Sequence, residues 1–349
     1  MSVCNLLDFS ESGGCGCKIP PQMLTNILKT TQKKNTVKNE DILLGFETSD
    51  DCAIYNFGGK KLLFSTDFFS STVSSPYLFG KIAAANALSD IYATGGRPLI
   101  VNSILAFPPD DIPMPYIEKM IEGAQEVMAE CGATVVGGHT IKNAQPLYGF
   151  AVIGEAEDAH IRQNNTPRNH DLVIITKPLG IGIISNALKA GRLLEEELPE
   201  STLEIMSRVN RIGYSLAQYH GVSAMTDITG FGLAGHLSEL VENTGFNVNI
   251  DGDAVPVIEG VEALSLAVTK NPSGTYNNIS RYARFMKYEA DISDELRLIL
   301  HDPQTNGGLL FTVDEESYRE HILPLFEAEQ SEHYVIGTIS EGQGQIIVK

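Results

Sequence analysis

The sequence predicts an α+β protein: two α/β domains preceded by a flexible, glycine-rich N-terminal segment. Three observations carry that expectation. The chain has 349 residues, and about two domains of ~100–200 residues is the natural division at that length. Segments of strand and helix character alternate on both sides of a polar stretch, Glu157–Asn169. Residues 1–45 lack that regularity, apart from a short helix expected over Gln22–Gln32, and carry glycines at 13, 14 and 16. The expected division is 1–45 for the N-terminal segment, 46–157 for the first domain and 170–349 for the second.

In the first domain, Lys61–Phe69 reads as a strand leading into a loop. Phe79–Gly96 is an alanine-rich helix stopped by paired glycines. Leu99–Phe107 is a strand, Tyr116–Cys131 has apolar residues at helical spacing, and Thr134–His139 and Tyr148–Ala156 are strands. In the second, Asp171–Lys177 is a strand, Thr202–Tyr219 and Phe231–Asn243 are helices, and FNVNID, GLLFTV and QIIVK are strands. There is no short-period repeat and no low-complexity tract.

Composition narrows the function. At 43% hydrophobic and 20% charged the chain is ordinary globular protein. No apolar run approaches the ~18 residues a membrane helix needs, and MSVCNLLDFSESGG has no secretory character. A cytoplasmic protein without a membrane partner is expected. The net charge of −19 repels a phosphate backbone, which argues against nucleic-acid binding. It leaves room for a nucleotide arriving with divalent cations, which carboxylates hold. Five cysteines, an odd number, do not suggest a disulfide framework.

The carboxylates are the first candidates. Asp50 and Asp51 precede an apolar run, Asp67 lies at the end of a strand, and Asp227 stands between an apolar run and a glycine-rich helix start. Asn86 and Asp90 are four apart, so on a helix they share a face. Acids converging from several segments would suit Mg²⁺–phosphate sites; a strand-end Asp taken alone is usually a turn former or helix cap, whereas Asn86 and Asp90 interrupt an otherwise Ala/Ile-rich helix. Four glycine-containing stretches, GGHT, KPLGIG, TGFGLAGH and DPQTNGG, end strands or begin helices. Such turns either let backbone approach an anion or simply permit tight bends. None matches a P-loop or a dinucleotide fingerprint. His236 reads as packing, and the role of His139 stays open.

Cys15 and Cys17 flank one glycine, with Lys18 adjacent. A structural zinc would need about two further ligands. A mutual disulfide would close a very small, strained ring. A reactive thiol favoured by Lys18 and an inert exposed loop remain as readings.

Together, GGCGCK, ETSDD, STDFF, NALSDIYATGG, GGHT, KPLGIG, MTDITGFGLAGH and DPQTNGG, in this order, closely resemble the selenophosphate synthetase (selenide, water dikinase) family over essentially the whole chain. The later motifs are shared with the wider aminoimidazole ribonucleotide synthetase-like superfamily, whose fold the two domains are then expected to take. The resemblance implies that ATP, selenide and water give selenophosphate, AMP and phosphate, with Mg²⁺, in a homodimer whose first domains build a shared sheet. It implies that Cys15 is the catalytic cysteine and Lys18 an essential, nucleotide-contacting lysine. Asp51, Asp90 and Asp227 match the metal-binding acids. Asp67 and Asn86, with Asp90, match the ATP–metal site; Thr48, Ser49 and Asp50 match a nucleotide-contacting segment; Gly138, His139 and Thr140 match a phosphate-contacting turn. Cys17 aligns with a cysteine not expected to be essential. A selenium-delivery protein is a further possible partner. The rivals are another ATP-dependent enzyme of the superfamily, against which GGCGCK argues, and a non-catalytic nucleotide-binding relative.

Overall fold

The computed structural model describes residues 5–10, 14, 27, 39–45, 50–267 and 273–349. Cys15, Cys17, Lys18, Thr48 and Ser49 lie outside the described residues, as does the helix expected over Gln22–Gln32 apart from Ile27.

The first sheet has six strands: β1 (Ile42–Leu44), β2 (Ala53–Phe57), β3 (Lys60–Phe69), β4 (Arg97–Phe107), β5 (Thr134–Lys142) and β6 (Leu147–Ala156), in the order β1-β2-β3-β6-β4-β5. All neighbours are antiparallel except β4 and β5, which are parallel. Parallel neighbours need a crossover, and helix α2 (Met114–Glu130) supplies it. Helix α1 (Pro76–Ala93) runs between β3 and β4. Ser75 caps it by accepting from Leu78 N at 3.3 Å, and Pro76 opens it, so it starts three residues before the alanine-rich run suggests. Gly95, at φ +86°, follows its last turn.

Alternation along β3 sends Leu63, Ser65 and Phe69 inward and leaves Phe64 and Phe68 exposed. Helix α1 is buried almost all round, as a helix apolar on every face must be. One side meets the first sheet and the other meets the second domain.

The second sheet has seven strands: β7 (Leu172–Ile175), β8 (Val222–Asp227), β9 (Phe246–Ile250), β10 (Met286–Tyr288), β11 (Leu309–Val313), β12 (Tyr334–Glu341) and β13 (Ile346–Val348), ordered β10-β13-β9-β12-β7-β11-β8. Helices α3 (Ile181–Lys189), α4 (Glu200–Ser207), α5 (Ile212–Leu216), α6 (Gly232–Val241), α7 (Val261–Ala267), α8 (Ser273–Tyr282) and α9 (Asp294–Leu300) accompany it.

The single helix expected over Thr202–Tyr219 is two, α4 and α5, with Arg208 extended between them (φ −65°, ψ 130°). Tertiary hydrogen bonds replace the helical ones there. Lys177 Nζ donates to Arg208 O at 2.7 Å, and Asn210 Nδ2 donates to Ser89 Oγ and Gly307 O, both at 2.8 Å.

One hydrophobic cluster runs through both domains and includes Leu6 and Leu7 near the N-terminus. Glu195 of the second domain accepts from Ser74 N at 2.5 Å and Ser75 N at 3.1 Å, tying the start of α1 across the seam. Gly14 donates its N–H to Ser70 O at 3.0 Å, with φ +63°. A side chain at Gly14 would strike Thr305 and Thr72, so only glycine fits between the two domains at this point.

Candidate active site

Three carboxylates meet on the seam. Asp51 lies just before β2, Asp90 lies on the last turn of α1, and Asp227 closes β8. One carboxylate oxygen from each falls within 4.8 Å of the other two. Asp227 is 1% exposed. Burial pushes the Asp51 carboxyl well above the usual range, and the charges of Asp227 and Asp90 push it further the same way. Thr226 Oγ1 donates to Asp51 Oδ1 at 2.9 Å, which works against that rise. Like charges this close, drawn from two domains, are stabilised by a cation. All-oxygen, carboxylate donors suit a hard divalent ion such as Mg²⁺ better than a soft one. Among the described residues this is the one group of three such side chains arranged to hold a metal.

Asp67 and Asn86 sit one step along. The Ser65 hydroxyl donates to Asp90 Oδ2, and Asn86 Nδ2 donates to Asp67 Oδ2 at 2.8 Å. Two residues along a strand advance about 6.8 Å, and four along a helix about 6 Å. The pairs Ser65–Asp90 and Asp67–Asn86 therefore form two rungs between β3 and α1. Asp50 faces elsewhere with one oxygen, accepting from Asn164 N at 3.2 Å and so holding the interdomain connection. Cys52, next to Asp51, is buried, and burial followed by Asp90 raises its thiol well above normal; it is not an activated thiolate.

Gly138, His139 and Thr140 do not form a turn. They are paired with Ser103, Ile104 and Leu105 in the middle of β5, an exposed edge strand. A side chain at Gly138 would run into Ser103, so the glycine serves close strand approach. Three strand spacings, about 14 Å, separate β5 from the Asp67 strand, so one chain does not bring them together.

KPLGIG and DPQTNGG bind each other. Gln304 Oε1 accepts from Gly180 N (3.2 Å) and Ile181 N (3.1 Å), and Asp302 Oδ2 accepts from Ile183 N at 3.1 Å. The start of α3, where an anion was one reading, is capped from within. Lys177 is buried and donates to the carbonyls of Arg208 and Asn306; burial holds its ammonium well below the usual range. His236 is packing, as expected: it is buried, and its Nε2 accepts from Thr229 N at 3.0 Å.

Sequence reasoning missed Ser65 and Thr226. Both were findable: Ser65 shares a strand face with Asp67, and Thr226 adjoins Asp227.

Residues 49–156 match the model of the AIR synthase related protein N-terminal domain, and residues 168–349 that of the C-terminal domain. Two AIR synthase-type domains thus define the class. A selenide, water dikinase of Escherichia coli O157:H7 is 40% identical over 316 residues, covering 90% of this chain and 89% of that protein. Another, from Photorhabdus laumondii subsp. laumondii, is 38% identical over 346 residues, covering 99% and 97%. The chain belongs to the selenide, water dikinase family. A solved structure described as AaThiL complexed with AMPPCP and TMP superposes with a TM-score of 0.68 at 22% identity, covering 93% of this chain and 92% of that one, a likeness of fold.

Proposed function

We propose that this chain makes selenophosphate from ATP, selenide and water, releasing AMP and phosphate, at the acid cluster on its domain seam. The observation that carries the reading is the convergence of Asp51, Asp90 and Asp227 within 4.8 Å in a chain about 40% identical to selenide, water dikinases.

In this reading Asp51, Asp90 and Asp227 hold Mg²⁺. Bound there, the ion neutralises charge on the polyphosphate of ATP. Asp67 and Asn86 orient the ATP–metal complex beside it. Thr48, Ser49 and Asp50 border the nucleotide, and Gly138, His139 and Thr140, three strands from Asp67 within one chain, contact phosphate at the site of the second copy in a homodimer. Lys18 offsets negative charge on the transferred phosphoryl group. Cys15 handles selenium. It follows Gly14, which is pinned between Thr72 and Thr305, one residue from Asn306, itself bonded to Asn86. Gly14, the residue before Cys15 in sequence, thus lies near Asn86 in the fold.

The first sheet's open face supports a homodimer. Phe64, Ile153 and Ile100 line up in register across β3, β6 and β4, with Phe64 47% and Phe68 48% exposed; a second copy would cover such a face. Selenide oxidises readily, which suits a reducing cytoplasm.

The test is anaerobic incubation with ATP and Mg²⁺, with and without selenide, followed by phosphorus NMR. A selenide-dependent phosphorus–selenium signal, with AMP and phosphate in equal amounts, is expected. ATP converted to ADP regardless of selenide, or no turnover at all, would refute the reading. Cys15→Ser should abolish selenophosphate formation while nucleotide binding persists; undiminished product would remove the thiol from the mechanism.

A further inference from the structure

One residue of the Asp302–Gly308 turn also reaches the acid site. Asn306 is fully buried, with φ +54°, a left-handed conformation that asparagine adopts more readily than most residues. Its side-chain Nδ2 donates to the carbonyls of Met206 and Arg208, each at 3.0 Å. Its own carbonyl accepts from Lys177 Nζ at 2.8 Å. Its main-chain N–H crosses the seam and donates to Asn86 Oδ1 at 2.8 Å.

That last bond settles the direction of the Asn86 amide. A main-chain N–H only donates, so the Asn86 atom facing it is oxygen. The other end, Nδ2, then faces Asp67 Oδ2 at 2.8 Å. Flipping the amide would set donor against donor at Asn306, in a buried setting, and acceptor against acceptor at Asp67, in a part-buried one, and unmatched groups there are costly. We propose that Asn306 is a positioning residue for the ATP–metal site. Anchored by its side chain, it locks the Asn86 amide and, through Asn86, sets the carboxylate of Asp67. This deepens the reading above and rests on Asp67 and Asn86 serving ATP and metal.

The experiment is a double-mutant cycle on the full chain, read by calorimetric binding of AMPPCP with Mg²⁺. Asn306→Gly keeps the main-chain N–H and accepts the left-handed φ, while removing both side-chain anchors. It should weaken binding by about 10-fold. Asn86→Ala should weaken it at least as much, and the double variant no further, because the two residues act in series. In turnover, KM for ATP should rise while KM for selenide holds, a split that simple loss of folded protein does not produce. Unchanged affinity in Asn306→Gly, or losses that multiply in the double variant, would overturn the proposal. A wild type that binds no AMPPCP–Mg²⁺ would instead overturn the ATP–metal reading, and the proposal with it. Should Asn306→Gly fail to fold, Asn306→Ser, which retains one side-chain donor, enters the same cycle under the same criteria.

Discussion

Two buried polar regions lie against helix α1, and they solve the problem of burial in opposite ways. In the turn that joins KPLGIG to DPQTNGG, buried side chains meet complementary partners. Lys177 donates to two carbonyls, Gln304 accepts from two amides, and Asp302 accepts from Ile183 N and Gln304 Nε2. At the acid cluster, Asp51, Asp90 and Asp227 meet one another, and the charges raising the Asp51 carboxyl are other carboxylates. A glycine-rich motif with a buried charge is thus no sign of function by itself. The distinction lies in whether the fold supplies the matching group or leaves like charges facing each other. The first arrangement ties segments of the second domain to one another; the second stores repulsion that a cation would relieve.

The contrast breaks most sharply at Asp51. Asp51→Asn should cut Mg²⁺-dependent turnover by about 100-fold or more, while the metal-free melting temperature stays level or rises, because a like charge has gone. A variant that loses activity together with stability would make Asp51 a structural residue like those of the turn. Lys177→Met should do the reverse. It leaves the carbonyls of Arg208 and Asn306 without their donor and should cost about 2 kcal/mol or more in denaturant melts, with the stoichiometry of divalent-ion binding preserved. Unaltered stability would show that the lysine does not tie the turn.

The smallest effect is expected at Asp302, whose carboxyl burial pushes up to about 7. A carboxyl raised in the folded state stabilises fully below its unfolded value near 3.9, and that stabilisation is lost as pH rises toward 7. Asp302→Asn has no proton to lose. Its melting temperature should therefore gain on the wild type between pH 5 and pH 8, and a constant difference across that range would place Asp302 among ordinary ionised caps.

Legibility in the sequence followed locality. Helix α1 was readable, with Asn86 and Asp90 on one face, because its alanines and its terminal glycines act within the segment. The acids of the cluster were visible as strand-end and helix-face residues, though nothing in their spacing showed that Asp227 would meet Asp51 across 176 positions. That meeting depends on β8 packing beside α1. The break at Arg208–Asn210 was hidden because Lys177, Ser89 and Gly307 make it, each distant in sequence. GGHT misled as a turn because paired glycines also suit an extended strand pressed against a neighbour, as Gly138 is against Ser103. Asn306 carried no signal as a site residue, since its link to Asn86 runs through a main-chain N–H that any non-proline residue would offer.

The most direct measurement is equilibrium binding of Mn²⁺, a spectroscopically visible substitute for Mg²⁺, in the presence of AMPPCP, compared among wild type, Asp227→Asn and Lys177→Met. Bound ion in wild type and Lys177→Met, with loss in Asp227→Asn, would place the metal at the three-carboxylate cluster. Equal binding by all three proteins would contradict that assignment and move the site elsewhere on the molecule.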